Sequence, residues 1–84
     1  MRNDVMDLAT TVEGMLSGDR IDRLRAEHRQ AWIRYWRLKY RMNAIASHRV
    51  EEPQHVKLLE AQLAAMEAYM RLLEERARQE GVSL

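Results

Sequence analysis

Apolar side chains recur at alternating steps of three and four residues along most of this chain, which is the spacing of amphipathic helices. The longest run predicts a helix over about residues 20–48, with a seam that repeats every 3.5 residues on average. This first seam comprises Ile21, Leu24, His28, Ala31, Tyr35, Leu38, Met42 and Ile45. A second seam predicts a helix over about residues 53–80 and comprises Val56, Leu59, Leu63, Met66, Met70, Leu73 and Ala77.

A shorter apolar stripe precedes these two seams. It comprises Val5, Leu8, Ala9, Val12, Met15 and Leu16. The stripe predicts a short helix over about residues 5–16, capped by Asp4 and ended by the Ser17-Gly18 pair. Asp19 is then placed to cap the long helix that follows.

The two long helices are joined by a loop predicted at residues 49–52. Pro53 suits the first turn of the next helix, and Gly81 is placed to end that helix. Because the loop is short, the two helices are expected to form an antiparallel hairpin. The sequence therefore predicts an all-α fold over residues 1–84 as a single domain: a short N-terminal helix followed by a long helical hairpin.

Each long helix also carries a second stripe that a two-helix hairpin leaves uncovered. In the first long helix this stripe comprises Ile33, Trp36, Tyr40 and Ala44, flanked by Arg29 and Arg37. In the second it comprises Leu58, Gln62, Ala65, Tyr69, Leu72 and Arg76. Exposed apolar surface of this extent is more than a monomer normally shows. We therefore expect a homo-oligomeric helical bundle, a dimer or a larger assembly.

The composition excludes disulfide bonds and predicts where in the cell the protein is found. The 84 residues include no cysteine, so a disulfide framework is excluded. No stretch approaches the ~18 apolar residues that predict a membrane span, so a cytoplasmic protein without a membrane partner is expected.

The charges are unevenly distributed along the chain. Although the net charge is only +1, residues 19–49 carry nine basic and three acidic side chains, and residues 50–84 carry four basic and seven acidic ones. This asymmetry suits either charge pairing across the hairpin or a basic surface that binds an anion.

Catalytic motifs are missing from the sequence. It has no glycine-rich phosphate loop, no cysteine nucleophile and no Ser/His/Asp grouping, so a non-enzymatic protein without a cofactor is predicted. The loop residues His48, Glu51, Glu52 and His55 lack the spacing of a preformed metal site and favour a solvated loop. His28 lies in the first seam, where a core histidine bonded to a partner is the ordinary interpretation and a ligand contact is the alternative.

The segment LLEAQLAAMEAYMRLLEER, residues 58–76, resembles a pattern in small phage and prophage proteins. These proteins, which include relatives from crAss-like phages, are helical hairpins that end in L-L-x-x-Q-L-x-A-M-x-x-Y-x-x-x-L-x-x-R. The matching positions here are Leu58, Leu59, Gln62, Leu63, Ala65, Met66, Tyr69, Leu73 and Arg76. The resemblance implies a phage-encoded helical hairpin, and a host-cell cytoplasmic location with it.

Arginine and aromatic residues are concentrated in AWIRYWRLKYRM, residues 31–42. Guanidinium groups bind phosphates and flat rings stack on bases, so this composition suits a nucleotide. The predicted ligand-binding residues are Arg29, Trp32, Trp36, Arg37, Tyr40 and Arg41, together with Tyr69 and Arg76 of the second long helix. By analogy with the phage proteins that counter CBASS and Thoeris defence, we predict an anti-defence sponge. Such a protein sequesters a cyclic oligonucleotide or a cyclic ADP-ribose type signal in an oligomer-interface pocket without cleaving it.

Two other functions fit the same residues. Trp36 and Tyr40 can be interface core with arginine stems packed beside them, as in an adapter or inhibitor that binds a host defence protein, such as an anti-CRISPR. A small helical nucleic-acid-binding protein is the third interpretation. The sequence pI of about 8.2 and the acidic second long helix disfavour it, because proteins that follow a polyanion are normally more basic.

Overall fold

The computed structural model describes residues 8–84, and every regular element in that part of the chain is helical. A 3-10 helix at Leu8–Thr11 leads into helix α1, the single turn Val12–Met15. Two long helices follow, α2 at Arg20–Ala46 and α3 at Val56–Gln79. The prediction of an all-α fold is therefore confirmed for the described residues.

Helices α2 and α3 pack against each other in antiparallel orientation. Arg20, at the start of α2, is paired with Glu80, just beyond the end of α3. Eight residues further along α2, the His28 Nε2 atom lies 3.1 Å from Glu74 Oε2. The buried core between the helices consists of Leu24, Ala31, Met70, Leu73 and Ala77, with Trp32, Tyr35 and Val82 packed against it. Burial of these side chains is the main contribution that holds the hairpin together.

Both predicted seams face this interface. Every position of the first and second seams is buried or half-buried in the structure. The contact continues to the loop end of the hairpin, where Ile45 and Leu59 are buried. A seam of period 3.5 on each helix stays in register with its partner over many turns, which explains why the contact extends along the hairpin.

The N-terminal segment covers part of the second face of α2. Ile33 is 0% exposed and Ala26 is buried, although neither belongs to the seam that faces α3. Thr11 of this segment is also buried, and its Oγ1 atom accepts a hydrogen bond of 2.9 Å from Gln30 Nε2 of α2. Gly14 permits this close approach, because a Cβ atom at that position would lie 2.8 Å from Ala26 Cβ.

This segment differs from the helix predicted over residues 5–16. A 3-10 helix and one α-helical turn replace a continuous helix between Leu8 and Met15. The Thr11 side chain contributes to the break, because it donates a hydrogen bond of 2.7 Å to the Leu8 carbonyl instead of leaving the backbone free for a regular helix. The proposed cap at Asp4 lies outside the described residues.

The ends of α2 are set by hydrogen bonds of its flanking residues. Asp19 caps the start, as predicted, by accepting a bond of 2.8 Å from the Ile21 N–H. The helix ends at Ala46, two residues before the predicted end, because His48 adopts a left-handed conformation with φ of 59°. The Arg49 N–H then donates to the Ala44 carbonyl at 2.9 Å, which closes the helix end in a Schellman arrangement.

Helix α3 starts at Val56, three residues after the predicted start, and ends at Gln79, one residue before the predicted end. The Val56 N–H donates to the Pro53 carbonyl at 3.2 Å, so the chain makes a turn after the proline before the helix begins at Val56. At the other end, Gly81 adopts φ of 69° and the Val82 N–H donates to the Ala77 carbonyl at 2.8 Å. This second Schellman arrangement places Val82 against the core.

Candidate functional site

A groove runs along one edge of the hairpin, where the surfaces of α2 and α3 diverge. Its volume is about 350 Å³, and we call it the Tyr69 groove. Its lining residues are Glu27, Gln30, Ala31, Arg34, Gln62, Met66 and Tyr69. These residues provide one exposed guanidinium, one ring, two amides and an apolar floor, which is the mixture that small-molecule sites commonly have.

The two charged residues that line the Tyr69 groove, Glu27 and Arg34, differ in whether they have an ion-pair partner. Glu27 is engaged by Arg76, with 3.8 Å between the Glu27 Oε1 and Arg76 Nη1 atoms. Arg34 is exposed and forms no ion pair among the described residues. Since the acidic group of the groove already has a cationic partner, Arg34 is the groove residue best placed to receive an anion.

A second depression, which we call the Trp32 pocket, lies on the opposite edge of α2. Its volume is about 380 Å³, and its lining residues are Arg25, His28, Arg29, Trp32 and Leu84. The Arg29 guanidinium carbon lies 5.0 Å from the centroid of the Trp32 ring, within the range of a cation–π interaction. The His28 contact with Glu74, described above, makes this histidine part of the hairpin interface.

An aromatic cluster continues from Trp32 along α2. The Trp32 and Trp36 ring centroids are 6.2 Å apart, and the Tyr35 and Trp36 rings meet edge to face at 5.4 Å. Trp36 is partly exposed, and Tyr40, one turn further, is 73% exposed. The cluster therefore fixes the Trp36 ring while it leaves one side of it open to a partner or a ligand.

The eight predicted ligand-binding residues fall into three groups in a single chain. Tyr69 lines the Tyr69 groove, and Arg76 is held beside it through Glu27. Arg29 and Trp32 line the Trp32 pocket. The remaining four, Trp36, Arg37, Tyr40 and Arg41, lie on exposed parts of α2 and line neither depression. Arg29 and Arg37 are also engaged within the chain. One chain alone therefore does not gather the eight residues into one pocket.

Sequence reasoning missed Gln30 and Arg34. They are four residues apart and so share one edge of α2, and Gln62 and Tyr69 share one edge of α3. In the antiparallel hairpin these two edges face each other across the Tyr69 groove. The helical spacing of Gln30 and Arg34 could have indicated this edge. The prediction instead used the aromatic residues of α2, which lie on a different edge.

Two further observations concern the described part of the chain. Within residues 8–84, no group of three or more His, Asp or Glu side chains is arranged to hold a metal ion. None of the helices described above is long and apolar enough to cross a membrane.

The helical hairpin matches the model of a known protein family. The family model named Sequestin matches residues 18–79, which include all of α2 and α3. No curated protein and no solved structure matches the chain. The matched region contains every residue of the Tyr69 groove and all but Leu84 of the Trp32 pocket.

Proposed function

Since the chain belongs to the Sequestin family, we propose that it sequesters a nucleotide-type immune signal by stoichiometric binding. The signal is a cyclic oligonucleotide or a molecule of the cyclic ADP-ribose type. The protein retains this signal without cleaving it, in a pocket at an oligomer interface. In this proposal it is a phage anti-defence protein that acts in the cytoplasm of the host cell.

The Tyr69 groove is the observation that carries this proposal. A nucleotide needs a cation for its phosphate and a flat ring or an amide for its base. Arg34 supplies the cation, Tyr69 supplies the ring, and the amide of Gln62 can donate to or accept from a base. Gln30 already donates one N–H to Thr11 and can offer its amide oxygen and its second N–H. The volume of about 350 Å³ lies at the lower end of the range for ligand pockets, roughly 300–1,000 Å³. A second chain that covered the groove would enlarge the contact with the ligand.

The family name supports a binding role, because sequestration requires affinity rather than turnover. The chemistry of the groove agrees with such a role. Arginine, glutamine and tyrosine side chains provide hydrogen bonds and stacking, and the carboxylate of Glu27 is engaged by Arg76. The arrangement is therefore suited to holding a charged ring compound.

A second candidate function is inhibition of a host protein through a helical surface. It is favoured by the exposed side chains Leu58 and Leu72 of α3 and Tyr40 of α2. Tyrosine is a common anchor of protein interfaces, and exposed leucines add apolar area that a partner can cover. An adapter would use these surfaces to cover a defence protein, and it would need no nucleotide.

A thermal-shift screen separates the two functions. The purified protein is heated with cyclic dinucleotides, cyclic trinucleotides and cyclic ADP-ribose isomers, each in separate wells. A ligand present at a hundred times its Kd is expected to add about 2.7 kcal/mol to the free energy of unfolding and so to raise the Tm. AMP and ADP-ribose are the controls for unspecific phosphate binding. If the Tm is unchanged in every well, sequestration of these signals is excluded and the adapter function is favoured.

A further inference from the structure

One face of α3 is left uncovered by the hairpin. The residues of this face, which we call the α3 stripe, are Leu58, Gln62, Ala65, Tyr69, Leu72 and Arg76. They follow one another at steps of four and three residues, which is the spacing of a coiled-coil seam. Leu58 is 71% exposed and Leu72 is 64% exposed. Helix α3 therefore has two such seams, one packed on α2 and one open.

We propose that a second copy of this chain covers the α3 stripe, with the two α3 helices antiparallel about a two-fold axis beside Ala65. We further propose that this pairing joins the two Tyr69 grooves into one basic cleft that binds a ligand with two phosphoryl groups. The second part rests on the proposed function, whereas the pairing does not depend on it.

The apolar residues of the α3 stripe are self-complementary in this arrangement. With the axis beside Ala65, Leu58 of one copy is level with Leu72 of the other, because both lie seven residues from the axis. Ala61 and Ala68 accompany Ala65 on this side of the helix and are exposed. Small side chains at the centre allow the two backbones to approach closely while the leucines cover the ends.

Charges beside the α3 stripe agree with the same register. Lys57 and Glu75 are exposed, although Glu60 and Arg78 of the same helix also pair with them. They lie 18 residues apart, which is five helical turns, so they share one edge of α3. The axis beside Ala65 brings Lys57 of one copy to within about two residues, or about 3 Å along the helix, of the level of Glu75 of the other. Hydrogen bonds from Arg78 and Gln79 lower the pKa of Glu75, so this carboxylate is ionised at neutral pH. In a parallel two-fold pair, by contrast, this edge of the two helices would lie on opposite sides of the dimer, and Lys57 would not meet Glu75.

The pairing determines where the grooves come to lie. In an antiparallel two-fold pair, the same edge of each helix faces the same side of the dimer. The Tyr69 groove lies along one edge of the α3 stripe, so the grooves of the two copies adjoin. The α2 helices then form the walls of a shared cleft, and the two Tyr69 side chains lie on its floor.

The cleft is basic at its centre. Arg34 lines the groove, and Arg41 lies two turns further along the same edge of α2. Two copies contribute four such guanidinium groups around the axis. Cyclic dinucleotides and cyclic ADP-ribose both carry two phosphoryl groups, so either matches this charge. Because the axis runs through the cleft, one ligand is expected for every two chains.

Engineered cysteines test the pairing directly, since the chain contains none of its own. Ala65→Cys places the thiol at the proposed axis and is expected to form a covalent dimer under a mild oxidant, seen on a non-reducing gel. Leu58→Cys alone is expected to stay uncrosslinked, because its own copy lies about 21 Å away at ~1.5 Å per residue. The double variant Leu58→Cys/Leu72→Cys is expected to crosslink. Ala46→Cys, exposed at the end of α2, is the control for random collision.

The results separate the pairing from the ligand. The antiparallel pairing is overturned if Leu58→Cys crosslinks as readily as Ala65→Cys, or if light scattering finds a monomer at micromolar concentration. The cleft is overturned if a monomeric Leu72→Glu variant binds a signal from the screen with unchanged affinity, or if calorimetry gives one ligand per chain. If crosslinking succeeds while no nucleotide binds, the pairing stands and the proposed function fails.

Discussion

Replacement of Leu73 by alanine is expected to lower the free energy of unfolding by about 2–5 kcal/mol. Leu73 is 1% exposed and lies in the core that joins α2 to α3. Truncation removes buried methyl groups and leaves a cavity that the rigid helical backbones fill only in part. For a domain of this size, such a loss is a large fraction of the total stability.

Urea unfolding followed by circular dichroism measures this effect at one fixed protein concentration. Leu16→Ala is the matched control, because it deletes the same atoms at a position that is 81% exposed. The control is expected to change the free energy of unfolding by less than about 0.5 kcal/mol. Equal losses in the two variants would show that Leu73 is not part of the core that holds the hairpin together.

Arg34→Ala is expected to give the second large effect, on ligand binding rather than on folding. Loss of one charge-assisted hydrogen bond to a phosphate costs about 1.5–3 kcal/mol, which raises the Kd roughly 10- to 150-fold. The fold should be nearly unaffected, because an exposed guanidinium contributes little to stability. Calorimetry with the nucleotide found in the screen gives the Kd, and the Tm of the free variant checks the fold.

Three variants make this result specific. Arg49→Ala removes the same charge near the hairpin loop, where Arg49 bonds to Ser47, and should leave the Kd unchanged. Arg34→Lys keeps the charge but not the planar donor pair, so partial binding is expected. If Arg37→Ala abolishes binding while Arg34→Ala does not, the site is on the exposed side of α2 with Trp36 and Tyr40.

Helical periodicity was sufficient to identify the long helices and the faces that they bury. The steps of three and four residues depend only on the geometry of the helix, and an antiparallel hairpin has one way to bring two such seams together. The helix ends were less predictable. His48 adopts a left-handed conformation that glycine usually supplies, and nothing in the pattern of apolar residues indicates it.

The N-terminal segment shows a second limit. Ile33 belongs by spacing to the same stripe as Trp36 and Tyr40, and the sequence gives no reason to separate them. In the structure Ile33 is 0% exposed and Tyr40 is 73% exposed, while the N-terminal segment meets this helix at Ala26 and Gln30. Which residues of the stripe are buried depends on where the N-terminal segment crosses α2. This crossing is a tertiary contact, and the local sequence does not indicate it.

The candidate site was harder still to predict, because it combines edges from two helices. Tyr69 is among the predicted binding residues, and it belongs to the second stripe of α3 together with Gln62 and Arg76. Arg34 is not among the predicted residues, since it follows Ile33 in an aromatic-rich segment and only the antiparallel packing brings it to Tyr69. The sequence around a single exposed arginine does not show that it belongs to a site. Arg34 can be assigned to the groove only once the packing of α2 on α3 is known.

Recovery of a bound signal tests the central claim most directly. The protein is mixed with the cyclic nucleotide that raises its Tm, freed from unbound nucleotide by ultrafiltration, and denatured by heat. The released material is then identified by chromatography and mass spectrometry. Sequestration predicts that the cyclic nucleotide is retained with the protein and recovered chemically unchanged. Recovery of a linear or hydrolysed product, or loss of the nucleotide during filtration, would contradict it.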